Sequence, residues 1–421
     1  MSDRLEFASQ AFAPFIGVAP LMRLAFANGD IKPIGEALLK RAEEHINDAN
    51  ALMDCSVYLQ ISGHHDLALA MQAQAIKTQA LYSIPAKKSE PGIKLLVIMG
   101  PGDLMSNTPI EFLIEDSDVS LDILYLSLNT DWPDVVPEHD VMLVGIAESE
   151  ANQALLKKVS LFIANWPRPV INLPEYIAQT SRDGVCAALS NCTGIEMPVT
   201  VRADRTTLGQ LSAGIINVQH LLPGDHFPLI IRPLGSHAGK DLEKIEHAAD
   251  LNAYLERIPA EYFYLSRFVD YRGTDGLFRK YRIAMIEGKP YICHFAISSH
   301  WMIHYLNAGM GESAEKRAEE ADCMTHFDEE FAKRHAAALE AIHQRMGLQY
   351  LGIDCAETQD GNLLIFEIDN AMVVHAMDPV EIYPYKKPAM QKVFNAFRQM
   401  LENARHTITV ATATTANVEN P

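Results

Sequence analysis

The 421-residue sequence has no run of about 18 apolar residues, so no membrane-spanning helix is expected. Its start, Met1-Ser-Asp-Arg-Leu-Glu-Phe7, has no basic segment followed by a long apolar one, and the apolar stretch from Phe15 to Met22 is broken by Gly17 and Pro20. A secretory signal is therefore not expected. Cysteine is sparse. Cys55, Cys186, Cys192, Cys293, Cys323 and Cys355 form no Cys-x-x-Cys pair, a pattern that suits reduced thiols in a cytoplasmic protein better than a disulfide framework or a zinc site. Positive charge is also short: 35 Lys+Arg stand against 54 Asp+Glu, a net charge of −19. Nucleic-acid binders draw affinity from basic side chains, so that class is disfavoured. Phosphate-binding signatures are missing in their standard forms. Gly100-Pro-Gly-Asp103 is not Gly-x-Gly-x-x-Gly, and Gly235 to Gly239 is one residue too short for a Walker A loop, with Asp241 after the lysine.

What is present describes a folded α/β chain. Hydrophobic residues make up 48% and charged residues 21%, and the length suits two to four domains at about 100–200 residues each. Residues 1–84 are rich in Ala, Leu, Gln and Met, with helical spacing over 34–51 and 51–76. Leu59, Gly63, Ala68 and Ala75 sit at the offsets of a tetratricopeptide-type helical pair. A plain helical hairpin covering another domain is the simpler reading of one such copy, since these arrays need about three repeats to be stable. After the linker 85–92, short apolar runs at 93–99, 121–126, 141–144, 161–164 and 170–173 alternate with polar stretches, as in β-α-β units of a parallel sheet. From Phe227 the expected strands are antiparallel: 227–231, 262–270, 278–287 and 290–297, the last two joined by a turn at 287–290. A helix is expected over 328–346, ending at Gly347, then two strands about Asp360-Gly361, then a disordered tail over 406–421.

Carboxylates concentrate the chemistry. Asp354 lies in an apolar strand, and a hairpin centred near Gly361 places Glu367 opposite it, with Asp369 on the same face as Glu367. Three converging carboxylates are costly unless a cation lies between them, and Mg²⁺ suits such oxygen ligands together with substrate phosphates. A solvent-facing hairpin edge is the alternative, but Phe366 and Ile368 imply that its other face is buried. Between Arg267 and Lys289 six bases stand against three acids, and Lys280 and Arg282 share a strand face that could hold a phosphate chain, although a solvated strand would look similar. The third segment is a buried strand carrying Arg232, followed by Gly235, Ser236 and Gly239, where backbone N–H groups could approach phosphate oxygens.

In this order the segments resemble the ATP-grasp superfamily, in particular its carboxylate–amine ligases of the ribosomal-protein-glutamylation and glutathione-synthase type, over about residues 93–400. The resemblance implies a helical region (1–84), a Rossmann-like pre-ATP-grasp domain (93–175) whose 100–107 loop faces the substrate, and an ATP-grasp α+β domain (176–405). Implied nucleotide contacts are Arg232, Gly235, Ser236, Gly239, Lys240, Arg267, Phe268, Val269, Asp270 and Arg279. Implied catalytic groups are Lys280, Arg282, His304 and Asn307. The metal set for Mg²⁺ or Mn²⁺ is Asp354, Glu367 and Asp369, with Asp369 where the family has Asn; Asn370, shifted by one, would face away. Arg232 also departs from the usual Lys. The implied reaction is attack of a carboxylate on the γ-phosphate of ATP and capture of the acylphosphate by an amine, from small-molecule or peptide substrates, with no need of a side-chain nucleophile. His300, His304 and His375 could each orient substrate or take the amine proton, or be structural. A phosphotransferase on the same scaffold and a nucleotide-binding interaction protein are the other readings. A homodimer and a protein partner at the N-terminal helices are left open, and neither a membrane nor a nucleic-acid partner is expected.

Overall fold

The computed structural model describes residues 12–27, 29–88, 92–133, 135–236 and 239–416; the opening heptapeptide, part of the Gly-rich loop and residues 417–421 lie outside them. Four helices come first: α1 (Val18–Phe26), α2 (Lys32–Glu44), α3 (Ala49–Ile61) and α4 (His65–Thr78). Helices α3 and α4 form one hairpin, in which Gly63 takes φ +82° and Ala68 and Ala75 are fully buried. The chain then enters a five-stranded sheet made of β1 (Leu81–Ile84), β2 (Ile93–Met99), β3 (Val119–Tyr125), β4 (Val141–Val144) and β5 (Val170–Ile171), in the order β1-β3-β2-β4-β5. All its pairings are parallel except that of β1 with β3. Strand β1 lies inside the segment read as purely helical, because Leu81-Tyr-Ser-Ile84 is too short to stand out by pattern. The run at 161–164 is not a strand; it ends the helix Gln153–Ile163, whose buried Leu155, Leu156, Val159 and Ile163 recur at helical spacing.

A two-residue strand, β6 (Ile195–Glu196), leads to a four-stranded antiparallel sheet of β7 (Thr200–Asp204), β8 (Leu229–Pro233), β9 (Glu243–Ile245) and β10 (Tyr262–Arg267), in the order β7-β10-β8-β9. It has its own apolar core, closed by the helices Arg205–Ser212 and Asp250–Arg257. The third sheet comprises β11 (Phe278–Ile286), β12 (Lys289–Ser298), β13 (Tyr350–Glu357) and β14 (Leu363–Asp369), with β6 on its edge, in the order β12-β11-β13-β14-β6. Glu287 and Gly288, at φ +48° and +78°, join β11 to β12 in a two-residue turn with both φ values positive, the hairpin turn that matches strand twist.

The helix expected over 328–346 is divided into Phe331–Arg334 and Ala336–Met346, with Gly347 at φ +67° stopping it as expected. The tail read as disordered from 406 continues the helix Lys386–Ala416. Met390, Val393, Phe397, Met400 and Leu401 form the buried stripe of this helix, upstream of that tail, against the first and third sheets. The fold is α/β. Among the described residues no helix is long and apolar enough to cross a membrane.

Candidate active site

A cavity of about 870 Å³ opens between the four-stranded sheet and the third sheet. Register builds its floor. Arg282 on β11 pairs with His294 on β12 and with Asp354 on β13, and Asp354 pairs with Glu367 on β14. His294, Arg282, Asp354 and Glu367 therefore form one row across four strands, each about 4.8 Å from the next. All four line the cavity.

Ion pairing organises the row. Arg282 Nε and Nη2 donate to the two Asp354 oxygens at 2.8 and 2.9 Å, and Lys280 Nζ is 2.6 Å from Oδ2. These cations hold the buried Asp354 carboxyl far below its ordinary range against the opposing effect of burial. Glu367 accepts from Arg182 Nη2 at 2.5 Å, while Arg182 Nη1 holds the Phe366 carbonyl at 2.9 Å. Asp369 differs: burial first, and then the Glu367 charge, push its carboxyl up to about 7. From the opposite sheet Arg232, 7% exposed, is anchored by Nε to Ser236 Oγ at 3.0 Å. Burial and the neighbouring Arg182 lower its guanidinium to about 10.

Arg232, Gly239, Arg267, Phe268, Val269, Lys280, Arg282, His304, Asn307, Asp354, Glu367 and Asp369 all border this cavity. Gly235 and Ser236 border a smaller adjoining pocket that shares Arg182, Glu367 and Asp369. Three expected nucleotide contacts lie elsewhere. Arg279 precedes Lys280 on β11 and so faces the other side of the sheet, where it pairs with Asp275 and Glu319. Asp270 is taken up by Arg272 Nε at 3.0 Å on the surface, and Lys240 is exposed in a turn outside the lining. Arg267 reaches the cavity but is ion-paired to Glu196 and Asp225. Asn307 spends its side-chain oxygen on His304 N at 3.0 Å, which closes a single helical turn.

Of the expected three-carboxylate metal set, Asp354 has both oxygens paired with cations, while Glu367 and Asp369 stand on the neighbouring strand with fewer charged partners. Asn370 faces away, donating to the Ile146 carbonyl at 3.0 Å, as its place on the strand implied. Among the described residues, the metal-type donors whose ligand atoms lie within 4.8 Å of one another are instead His294, His375 and Asp378. That group surrounds the Lys386 ammonium, 3.2 Å from Asp378 and 3.4 Å from His294 Nδ1, which already supplies a cation. Arg182, His294 and Asp378 were not singled out as site residues in the sequence. His294 was findable by counting back across the Glu287-Gly288 turn, but a bulge after Arg282 shifts that count by one. His300 is exposed and outside the lining, whereas His375 borders the cavity.

No protein-family model matches the chain, and no curated protein matches it. Among solved structures it is similar to D-alanine–D-alanine ligase from Bacillus anthracis complexed with ATP, at 13% identity over 75% of this chain and 99% of that one, with a TM-score of 0.45. It is also similar to a RimK domain ATP-grasp protein from Sphaerobacter thermophilus (13% identity, 73% and 99% covered, TM-score 0.43). A third is D-alanyl-alanine synthetase A from Vibrio cholerae (12%, 75% and 99%, 0.47). At TM-scores below 0.5 these likenesses decide nothing about chemistry, which rests on the residues themselves.

Proposed function

We propose that the chain is an ATP-dependent ligase of the ATP-grasp type, joining a carboxylate to an amine through an acylphosphate and releasing ADP and phosphate. The observation that carries this reading is the row across β12-β11-β13-β14, with its cations and carboxylates facing Arg232 across one cavity. The base of ATP lies along the end of β10, between Phe268 and Val269 on one side and Leu364 on the other, all in the lining. Its phosphates run toward Arg232, Lys280, Arg282 and Arg182, which offset the charge that develops at the γ-phosphate.

Glu367 and Asp369 fit a divalent ion. Two half-buried carboxylates at alternate positions of one strand, one of them driven to about 7 partly by the other, are relieved by an added cation. Mg²⁺ bound there would supply neutralisation of phosphate charge. The substrate carboxylate oxygen attacks the γ-phosphorus and ADP leaves; the amine nitrogen then attacks the acyl carbon, the C–O bond breaks and phosphate leaves. Incubation with ATP, Mg²⁺ and a panel of carboxylates and amines tests the proposal. Amide product with ADP and phosphate supports it; a stable phosphorylated acceptor favours a phosphotransferase instead.

A further inference from the structure

The part of the cavity beyond Arg282 has a chemistry of its own. His294 lies one strand further out than Arg282, and His375 follows β14, its ring 5.4 Å from that of His294. Burial, followed by the nearby cations, holds the His294 imidazole well below its usual range; for His375 burial is the main cause and the value is about 4, so both rings are neutral at pH 7.

Their tautomers are assigned by their partners. His375 Nδ1 accepts from the Met377 amide at 3.2 Å, and His294 Nδ1 faces the Lys386 ammonium, which can only donate, at 3.4 Å. In each neutral ring the proton then resides on Nε2, and neither Nε2 has a hydrogen-bond partner among the described residues. The cavity end therefore presents two N–H donors. A metal on Nε2 would need the opposite tautomer.

The wall facing these donors is apolar and comes from the N-terminal region. Met22 and Phe26, four residues apart on α1, share one face, pack with Val373 and Met377, and line the cavity; the Phe26 ring is 5.4 Å from that of His375. Helix α1 is fixed in place: Asp54 accepts from the Ile16 and Gly17 amides, and Glu111 from those of Val18 and Ala19, at 2.9–3.2 Å. No spare cation is offered to a second carboxylate here among the described residues. Lys386 is held by Tyr305, Asp378, Glu320 and His294, and Arg23 by Glu115.

We propose that this end binds a monocarboxylate with an apolar body, its oxygens accepting from His294 and His375 Nε2–H and its body enclosed by Met22 and Phe26. The inference rests on the ligase reading, in which the carboxylate meets the γ-phosphate beside Arg282. It makes the N-terminal helix a specificity element of the site, and it excludes polar dicarboxylates.

The test uses the full chain saturated with AMP-PNP and Mg²⁺, with calorimetric titration of 4-methylpentanoate, glutarate and 3-methylbutylamine. The first is expected to bind in preference to the other two. Its affinity should fall about tenfold in His375→Leu and in Phe26→Ala, as for loss of one buried hydrogen bond or one apolar wall, and be largely retained in His375→Gln, whose amide nitrogen can replace Nε2–H. AMP-PNP affinity is the control for folding. In wild type with labelled methionine methyls, the probe's methyl groups should show NOEs to Met22, a readout that needs no pocket variant to fold. Tighter binding of glutarate or the amine, unchanged affinity in both weakening variants, or absence of the Met22 NOE would overturn the proposal. So would failure of the acid to bind where AMP-PNP binds. Failure of AMP-PNP itself to bind would instead remove the ligase reading.

Discussion

Asp354 is the residue on which the site's electrostatics turn. It is 2% exposed and carries two cations, so removing its charge leaves the half-buried Arg282 and Lys280 without their partner. Breaking a buried ion pair costs about 3–5 kcal/mol, and Asp354→Asn is expected to lose stability in that range by denaturant titration. Glu367→Gln should behave differently. In the proposed reaction its carboxylate would meet the phosphates and metal, so turnover is expected to fall by about 10²-fold or more, the scale for losing one preorganised charge contact, with near-native unfolding. The alignment of Asp354 with Glu367 was legible in the sequence, because a hairpin about Gly361 fixes it by counting. Side-chain partners were not legible, since they depend on elements far apart in the chain. Arg182 reaches Glu367 across 185 positions, and Asn307 closes a turn that no pattern marks. Glu320 shows the same limit. It lies in a stretch, 311–330, with eight acids against two bases, yet it is fully buried, accepting from the Tyr305 and Tyr385 hydroxyls.

At the scale of elements, strands with long apolar runs were readable and short ones were not. Ile93–Met99 reads directly as a buried parallel strand. The run at 161–164 is too short to separate strand from helix by period, and the helix prevails through Leu155, Leu156 and Val159 ahead of it. The seat of α1 carries a pH prediction. Burial raises the Glu111 carboxyl from 4.5 to about 7 despite its two backbone donors. Between those values the folded chain holds a proton that the unfolded chain releases, so this group's contribution is present below pH 4.5 and is lost as pH rises through 7. Relative to Glu111→Gln, wild type should lose about 3 kcal/mol across that window in paired denaturation series; parallel curves would contradict it. The opposed shifts of His294 and His375 are common to both proteins and cancel in the difference. Strand β13 is equally constrained at Gly352, where a Cβ would lie 2.7 Å from Met372 Cβ and Sδ. Gly352→Ala should destabilise by about 1–3 kcal/mol through overpacking, measured by thermal unfolding.

For the whole molecule, the charge of −19 describes the surface poorly as a guide to chemistry. Besides Arg267, which is paired to Glu196 and Asp225, four cations face the cavity from both sides of it: Arg232 from the four-stranded sheet, Lys280 and Arg282 from the third sheet, and Arg182 from the helix Arg182–Leu189. Their positions make a local field for phosphate that the global balance conceals. The N-terminal helices were open to being read as a recruiting module, yet α1 closes the cavity and shares an apolar cluster with the segment after β14. That role was not legible, because Met22 and Phe26 look like ordinary helix packing until residues about 350 positions later are brought beside them. The central proposal is that a substrate carboxylate is phosphorylated before the amine attacks it. Its most direct test is oxygen transfer, using the carboxylate and amine that support turnover, with the carboxylate labelled by ¹⁸O. The account predicts one ¹⁸O atom in each released phosphate, since the oxygen that attacks phosphorus leaves with it; unlabelled phosphate beside amide product would contradict it.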